Sequence, residues 1–243
     1  MTNLWNLLDE LKSEQYRWVD LSHPFSVDAP HWRGFGELEV KTVYEFGPDC
    51  PFHTDRYNIP AGQFGTHVDA PCHFNKGFRT LDQMGLTEMA YPLVVVDKSD
   101  ACMANPDYEL TVGDLQEWEA EHGIIPKGAF VAFRSDWSKR RDLNNYDEMG
   151  EPHYPGWSLE ALQWLVEERH IGAIGHESSD TDAPAAKTGL ICETYILKTD
   201  RLQVELMANL DNVPAAGAII FVTFLNVVGG SGFPARVFAI CPK

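Results

Sequence analysis

The segment QFGTHVDAPCHF, residues 63–74, gathers two imidazoles, a carboxylate and a side-chain amide around one glycine and one proline. Side chains alternate along an extended strand, so a strand over residues 63–69 would turn Gln63, Gly65, His67 and Asp69 to one face. Three of these four carry atoms that bind metal ions. Gly65 would leave room for an ion or substrate against the backbone. Pro71 would end strand pairing and let His73 swing back over the same face. Imidazole nitrogen with carboxylate oxygen suits zinc, manganese or iron(II), and an imidazole left free of the metal would act as base toward water. The competing reading is a hydrogen-bonded turn, a common use of His and Asp beside Gly and Pro.

Other chemistry-bearing motifs are weaker. GHESSDTD, residues 175–182, begins like a zinc-protease HExxH helix, but Asp180 stands at the fifth position and the preceding AIG reads as the end of a strand. GGSGF lacks the closing glycine of a GxSxG nucleophile elbow, because Phe233 occupies it; Ser231 then belongs to a glycine-rich loop near the site. Cys72 would face away from the ligand array on period-2 spacing, which makes it structural and not a nucleophile.

The elements that must hold these residues are legible from apolar periodicity. Leu4, Leu7, Leu8 and Leu11 recur at helical spacing and predict an opening amphipathic helix in need of a cover. YRWVDLS, ELEVKTVYEF and FHTDRYNI read as strands between Pro and Gly breaks. AYPLVVVDKS reads as a strand buried on both faces. LTVGDLQEWEAEHG predicts a helix capped by Thr111 and stopped by Gly123, and SLEALQWLVEE a second one capped by Ser158. KGAFVAFRSDW, IGAIGHES, RLQVELMANL, AAGAIIFVTFLNV and PARVFAIC complete a β-rich α/β chain without repeats, taken as a single domain over residues 1–243.

Bulk properties exclude several classes. With 19 basic against 36 acidic residues the formal net charge is -17, which disfavours nucleic acid and anionic membrane partners. Five cysteines without a CxxC pair suggest neither a disulfide framework nor a thiolate zinc cage. The amino-terminal segment has no leader-like apolar core and no apolar run reaches spanning length, so a cytoplasmic location is expected.

The central segment resembles the signature H-x-G-T-H-x-D-x-P-x-H of the metal-dependent cyclase family, which includes bacterial kynurenine formamidases and isatin hydrolases. Gly65, Thr66, His67, Asp69, Pro71 and His73 match it, and Gln63 replaces the leading histidine. The resemblance implies His67 and Asp69 as metal ligands and His73 as catalytic base or further ligand, with the base favoured. Gln63, if it binds, is a harder oxygen donor than imidazole and shifts preference towards manganese or magnesium in a single-metal site, zinc being the alternative. The family's distant ligand pair, spaced by twelve, falls on Glu193 and Glu205, and Glu193 is preferred. The resemblance further makes His176, Asp180 and Asp182 candidates near the site, and Phe25, Trp32 and Phe35 candidates for an aromatic wall against a flat substrate. It implies a β-rich swivelling β/β/α domain assembled as a homodimer or larger homo-oligomer. The implied activity is hydrolysis of a small cyclic amide such as isatin, with N-formylkynurenine hydrolysis as the alternative. A non-catalytic ligand-binding member is the reading of another class.

Overall fold

The computed structural model describes residues 3–243; Met1 and Thr2, which begin the segment read for a leader, lie outside the described residues. Thirteen strands follow the β-branched and aromatic runs: β1 (Tyr16–Asp20), β2 (Glu39–Tyr44), β3 (Thr54–Asn58), β4 (His67–Asp69), β5 (Ala90–Asp97), β6 (Glu109–Leu110), β7 (Phe130–Arg134), β8 (Gly156–Trp157), β9 (Ala173–His176), β10 (Leu202–Glu205), β11 (Ala218–Thr223), β12 (Gly232–Pro234) and β13 (Arg236–Pro242). The α-helices are α1 (Leu4–Leu11), α2 (Ser99–Ala104), α3 (Val112–His122), α4 (Leu159–Glu167) and α5 (Ile191–Lys198).

Nine strands form one sheet in the order β1-β13-β11-β5-β7-β9-β10-β4-β12. Its centre, β5-β7-β9-β10, is parallel, and both flanks are antiparallel. Parallel neighbours need crossovers, which α3, α4 and α5 supply. Those helices cover one face, where Val94, Val96, Val131 and Phe133 pack with Leu115, Leu162 and Ile196. The alternate residues Leu93, Val95, Phe130 and Ala132 join Val68, Val204, Val222 and Val237 on the other face. Residues from both ends of the sheet meet in that second cluster because the sheet curls upon itself, and the unbroken apolar run of β5 records its burial on both faces.

Local signals hold at the helix ends. The Thr111 hydroxyl accepts from the Asp114 amide while Asp114 accepts from the Thr111 amide, and Gly123, at φ 90°, ends α3. The Ser158 hydroxyl accepts from the Ala161 amide at 3.2 Å and opens α4. At the central segment the structure corrects the strand expected over residues 63–69: apart from an isolated bridge between Phe64 and His31, continuous pairing begins only at His67. Gly65 sits at φ 67°, the left-handed region glycine enters without steric cost, and this turn breaks the alternation upstream. The apolar stripe of α1 finds no cover, and Trp5 stays 79% exposed.

Candidate metal and catalytic site

Strand β10 lies between β9 and β4, and its register sets Glu205 opposite His67 and Gln203 opposite Asp69. Val68 and Val204, one residue out of phase, enter the core. Pleating therefore turns His67, Asp69, Gln203 and Glu205 to one face. All four are buried.

The His67 ring is fixed by its backbone neighbour. Nδ1 lies 2.8 Å from the Gly65 carbonyl, which only accepts, so Nδ1 carries the proton. Nε2 is buried with no hydrogen-bond partner, 3.5 Å from Asp69 Oδ2 and 3.4 Å from Glu205 Oε2. A lone pair aimed at two carboxylates is repulsive unless a proton or a cation lies between them. Burial disfavours the charged ring, yet Asp69 and Glu205 outweigh that cost and push the His67 pKa up to about 10. Glu205 is depressed to about 2, its burial outweighed by His176 and His67. This donor set fits a divalent cation, which would replace the proton on Nε2.

Around this triad lies a second acidic group. Asp69, His73 and Glu193 place ligand atoms within 4.8 Å of one another, as do Asp180, Glu193 and Glu205. His73 is the last residue of the three-residue turn Pro71–His73; its Nε2 is 3.9 Å from both Asp69 Oδ1 and Glu193 Oε1, beyond direct bonding and suited to an intervening water. Burial, with Glu205 nearby, raises Asp180 to about 8 and holds Glu193 well above its ordinary range. Asp182 fixes Glu193 from below by accepting the Cys192 and Glu193 amides at 3.0 Å each, which caps the start of α5.

The structure brings most of the sequence candidates together. Gln63 meets Asp69, His73 and Ser231 through its amide nitrogen, at 3.2, 3.4 and 3.5 Å; ligation would require its oxygen on that side. Cys72 packs against the core. Trp32 and Phe35 line a cavity of about 350 Å³ whose floor includes His67, His73, Glu193 and Glu205. Phe25 lies elsewhere: its ring packs edge-on to Phe64 at 5.9 Å and borders a separate crevice. His176 does not reach the cavity. It accepts from Trp157 Nε1 at Nδ1, 3.3 Å, and sets Nε2 3.5 Å from Glu205 Oε1, supporting that carboxylate from behind.

Sequence reading missed three residues. Gln203 donates from Nε2 to Asp69, Glu193 and Glu205 at 3.2, 3.0 and 3.1 Å, while Thr181 donates to its oxygen. Its two-residue spacing from Glu205 on a strand was the available signal. Phe74 and Tyr154 complete the aromatic wall, and no local pattern marks them.

Gly232 pairs with Asp69 on the outer side of β4. A methyl group there would come within 2.4 Å of Gln63 Nε2 and 2.7 Å of Asp69 Oδ1. Gly232→Ala is expected to destabilise the protein by about 1–3 kcal/mol, the usual overpacking cost, and to weaken metal binding, as read by thermal melting with and without added ion.

The chain resembles known proteins in both sequence and fold. The Cyclase family model matches residues 19–183. An isatin hydrolase of Roseibium aggregatum is 32% identical over 220 residues, 85% of this chain and 82% of that protein. The structure of isatin hydrolase A from Labrenzia aggregata, bound to benzyl benzoate, superposes with a TM-score of 0.92 at 32% identity over 100% of both chains. An isatin hydrolase bound to the product analogue thioisatinate superposes with a TM-score of 0.92 at 30% identity, again over 100% of both chains. With a family model matching most of the chain and a relative 32% identical over 85% of it, the chain belongs to the Cyclase family.

Proposed function

We propose that this protein is a divalent-metal-dependent hydrolase that opens a small cyclic amide of the isatin type, with residues 1–243 acting as one hydrolase domain. The observation that carries the reading is the partnerless Nε2 of His67, held between Asp69 and Glu205 beside a cavity with an aromatic wall. The similarity to isatin hydrolases supports the choice of substrate.

His67, Asp69 and Glu205 would hold the ion, with Glu193 and the Gln63 oxygen as further donors. One imidazole among oxygen donors favours manganese over zinc. When bound, the ion supplies Lewis acidity toward the amide carbonyl and acidifies water. Trp32, Phe35, Phe74 and Tyr154 sandwich a flat ring and exclude bulk water. His73 takes a proton from the attacking water and returns it to the departing nitrogen as the C–N bond breaks, leaving a carboxylate and an amine.

Three features support the remaining assignments. The uncovered stripe of α1 and the exposed β2–β3 ribbon suit burial in a homo-oligomer. Among the described residues no helix is long and apolar enough to cross a membrane. All five cysteines are free, which suits a reducing cytoplasm.

Incubation with isatin and with N-formylkynurenine, with and without added Mn(II), tests the reading by absorbance. Metal-dependent ring opening of isatin is expected. The absence of amide hydrolysis with either manganese or zinc overturns it.

Because the His67 pKa stands at about 10 without a cation, ion binding near neutrality must expel that proton. Apparent Mn(II) affinity is expected to tighten by about tenfold per pH unit for each proton displaced. Calorimetry in buffers of different ionisation heat reads the proton release, and a pH-independent affinity contradicts it.

A further inference from the structure

A second cavity, of about 430 Å³, opens between residues 28–33 and 138–144 and holds Arg33, Arg140 and Arg141. The clustering is unusual in a chain with 19 basic and 36 acidic residues. Arg79, Arg134, Arg169 and Arg236 each pair with a carboxylate. Among the described residues the three cavity arginines have no such partner, nor do Arg17, Arg56 and Arg201, but only Arg33, Arg140 and Arg141 converge on one cavity. Arg33 lies 3.6 Å over the Tyr146 ring and Arg140 4.3 Å over the Trp137 ring, contacts that orient each guanidinium and leave its charge uncompensated. Arg140 also donates to Asn145 Oδ1 at 2.9 Å.

Two carboxylates border the cavity. Asp142 is engaged by the Asn144 and Asn145 amides at 3.0 and 3.2 Å, and Asp28 is exposed at the rim. A buried polar atom without a partner, His23 Nε2, belongs to a ring that also lines the cavity. Ala29, Pro30 and Leu143 give the remaining wall an apolar character.

We propose that this cavity is a binding site, separate from the catalytic one, for an organic carboxylate with an apolar body. Guanidinium forks match the planar carboxylate bidentately, and Leu143 and Pro30 accommodate the carbon skeleton. Hydrolysis of an amide releases such a carboxylate, so the site takes the product class of the proposed reaction and in that respect rests on the proposed function. Arg33 begins the short helix Arg33–Phe35, whose Phe35, with the preceding Trp32, walls the catalytic cavity. An occupant held by Arg33 therefore steadies the aromatic wall that receives substrate.

The test is calorimetric titration of the full chain with phenylglyoxylate, at constant ionic strength and before metal is added. No turnover is needed, so the result is independent of whether the hydrolase reading holds, and the arginine variants tell this site from the catalytic cavity, which neither Arg33 nor Arg141 lines. Saturable one-to-one binding is expected in the parent protein and in His73→Ala. Arg33→Ala and Arg141→Ala are expected to weaken it at least about tenfold, the effect of losing one hydrogen bond to a charged group, with Arg33→Lys intermediate. Should Arg33→Ala melt early, the exposed Arg141 carries the comparison. No saturable binding, arginine variants that bind as tightly as the parent, or inorganic phosphate that competes at equal strength would each overturn the proposal.

Discussion

Replacing His67 by alanine is expected to abolish stoichiometric manganese binding and, with it, hydrolysis. His67 supplies the single buried lone pair without a hydrogen-bond partner between Asp69 and Glu205. Its loss leaves two buried carboxylates facing each other with only the Gln203 amide between them. Groups behind a metal ligand typically contribute about 10–100-fold to affinity, so loss of a ligand is expected to exceed about 100-fold. Removing one member of a buried ionic group also costs about 3–5 kcal/mol. Metal content after dialysis and the thermal shift on adding Mn(II) measure both consequences. Glu205→Gln is the companion variant: it preserves shape and lowers the negative charge, and is expected to retain the fold while weakening the ion. Unchanged metal content in both variants would move the ion to the Asp69, His73 and Glu193 group.

His73→Ala is expected to act on a different quantity. The ring is 26% exposed on the cavity wall and 3.9 Å from its nearest carboxylates, so its loss leaves the buried triad intact. Metal affinity and thermal stability are then expected to stay close to those of the parent. Turnover is expected to fall by about 10²–10⁴-fold, the usual contribution of a positioned acid or base. Measuring kcat and KM with saturating Mn(II), alongside metal content, separates the roles. Loss of metal in His73→Ala would make the ring a ligand and transfer the base function to the Asp180 and Glu193 pair.

The amino-acid sequence alone was sufficient wherever the controlling interaction is local. Thr111 and Ser158 cap their helices because each hydroxyl needs to reach only an amide three residues ahead. His67 and Asp69 share a face because alternation acts over two residues, and the β5 run announces a strand buried on both sides. Tertiary structure decided what depends on contact between distant segments. Glu205 lies nearer His67 than Glu193 does because β10 pairs with β4 in a register set by the whole sheet. Gln203 became visible as the amide spacing three carboxylates only once Asp69, Glu193 and Glu205 converged on it. Asp182 caps a helix that starts nine residues later, across a loop. Trp32 faces the cavity and Phe25 does not, because the two stand on one irregular loop whose path is set by packing against distant segments, Phe25 against Phe64. Periodicity constrains neighbours along one element, whereas a catalytic site is assembled from elements whose mutual placement is set by packing of the core.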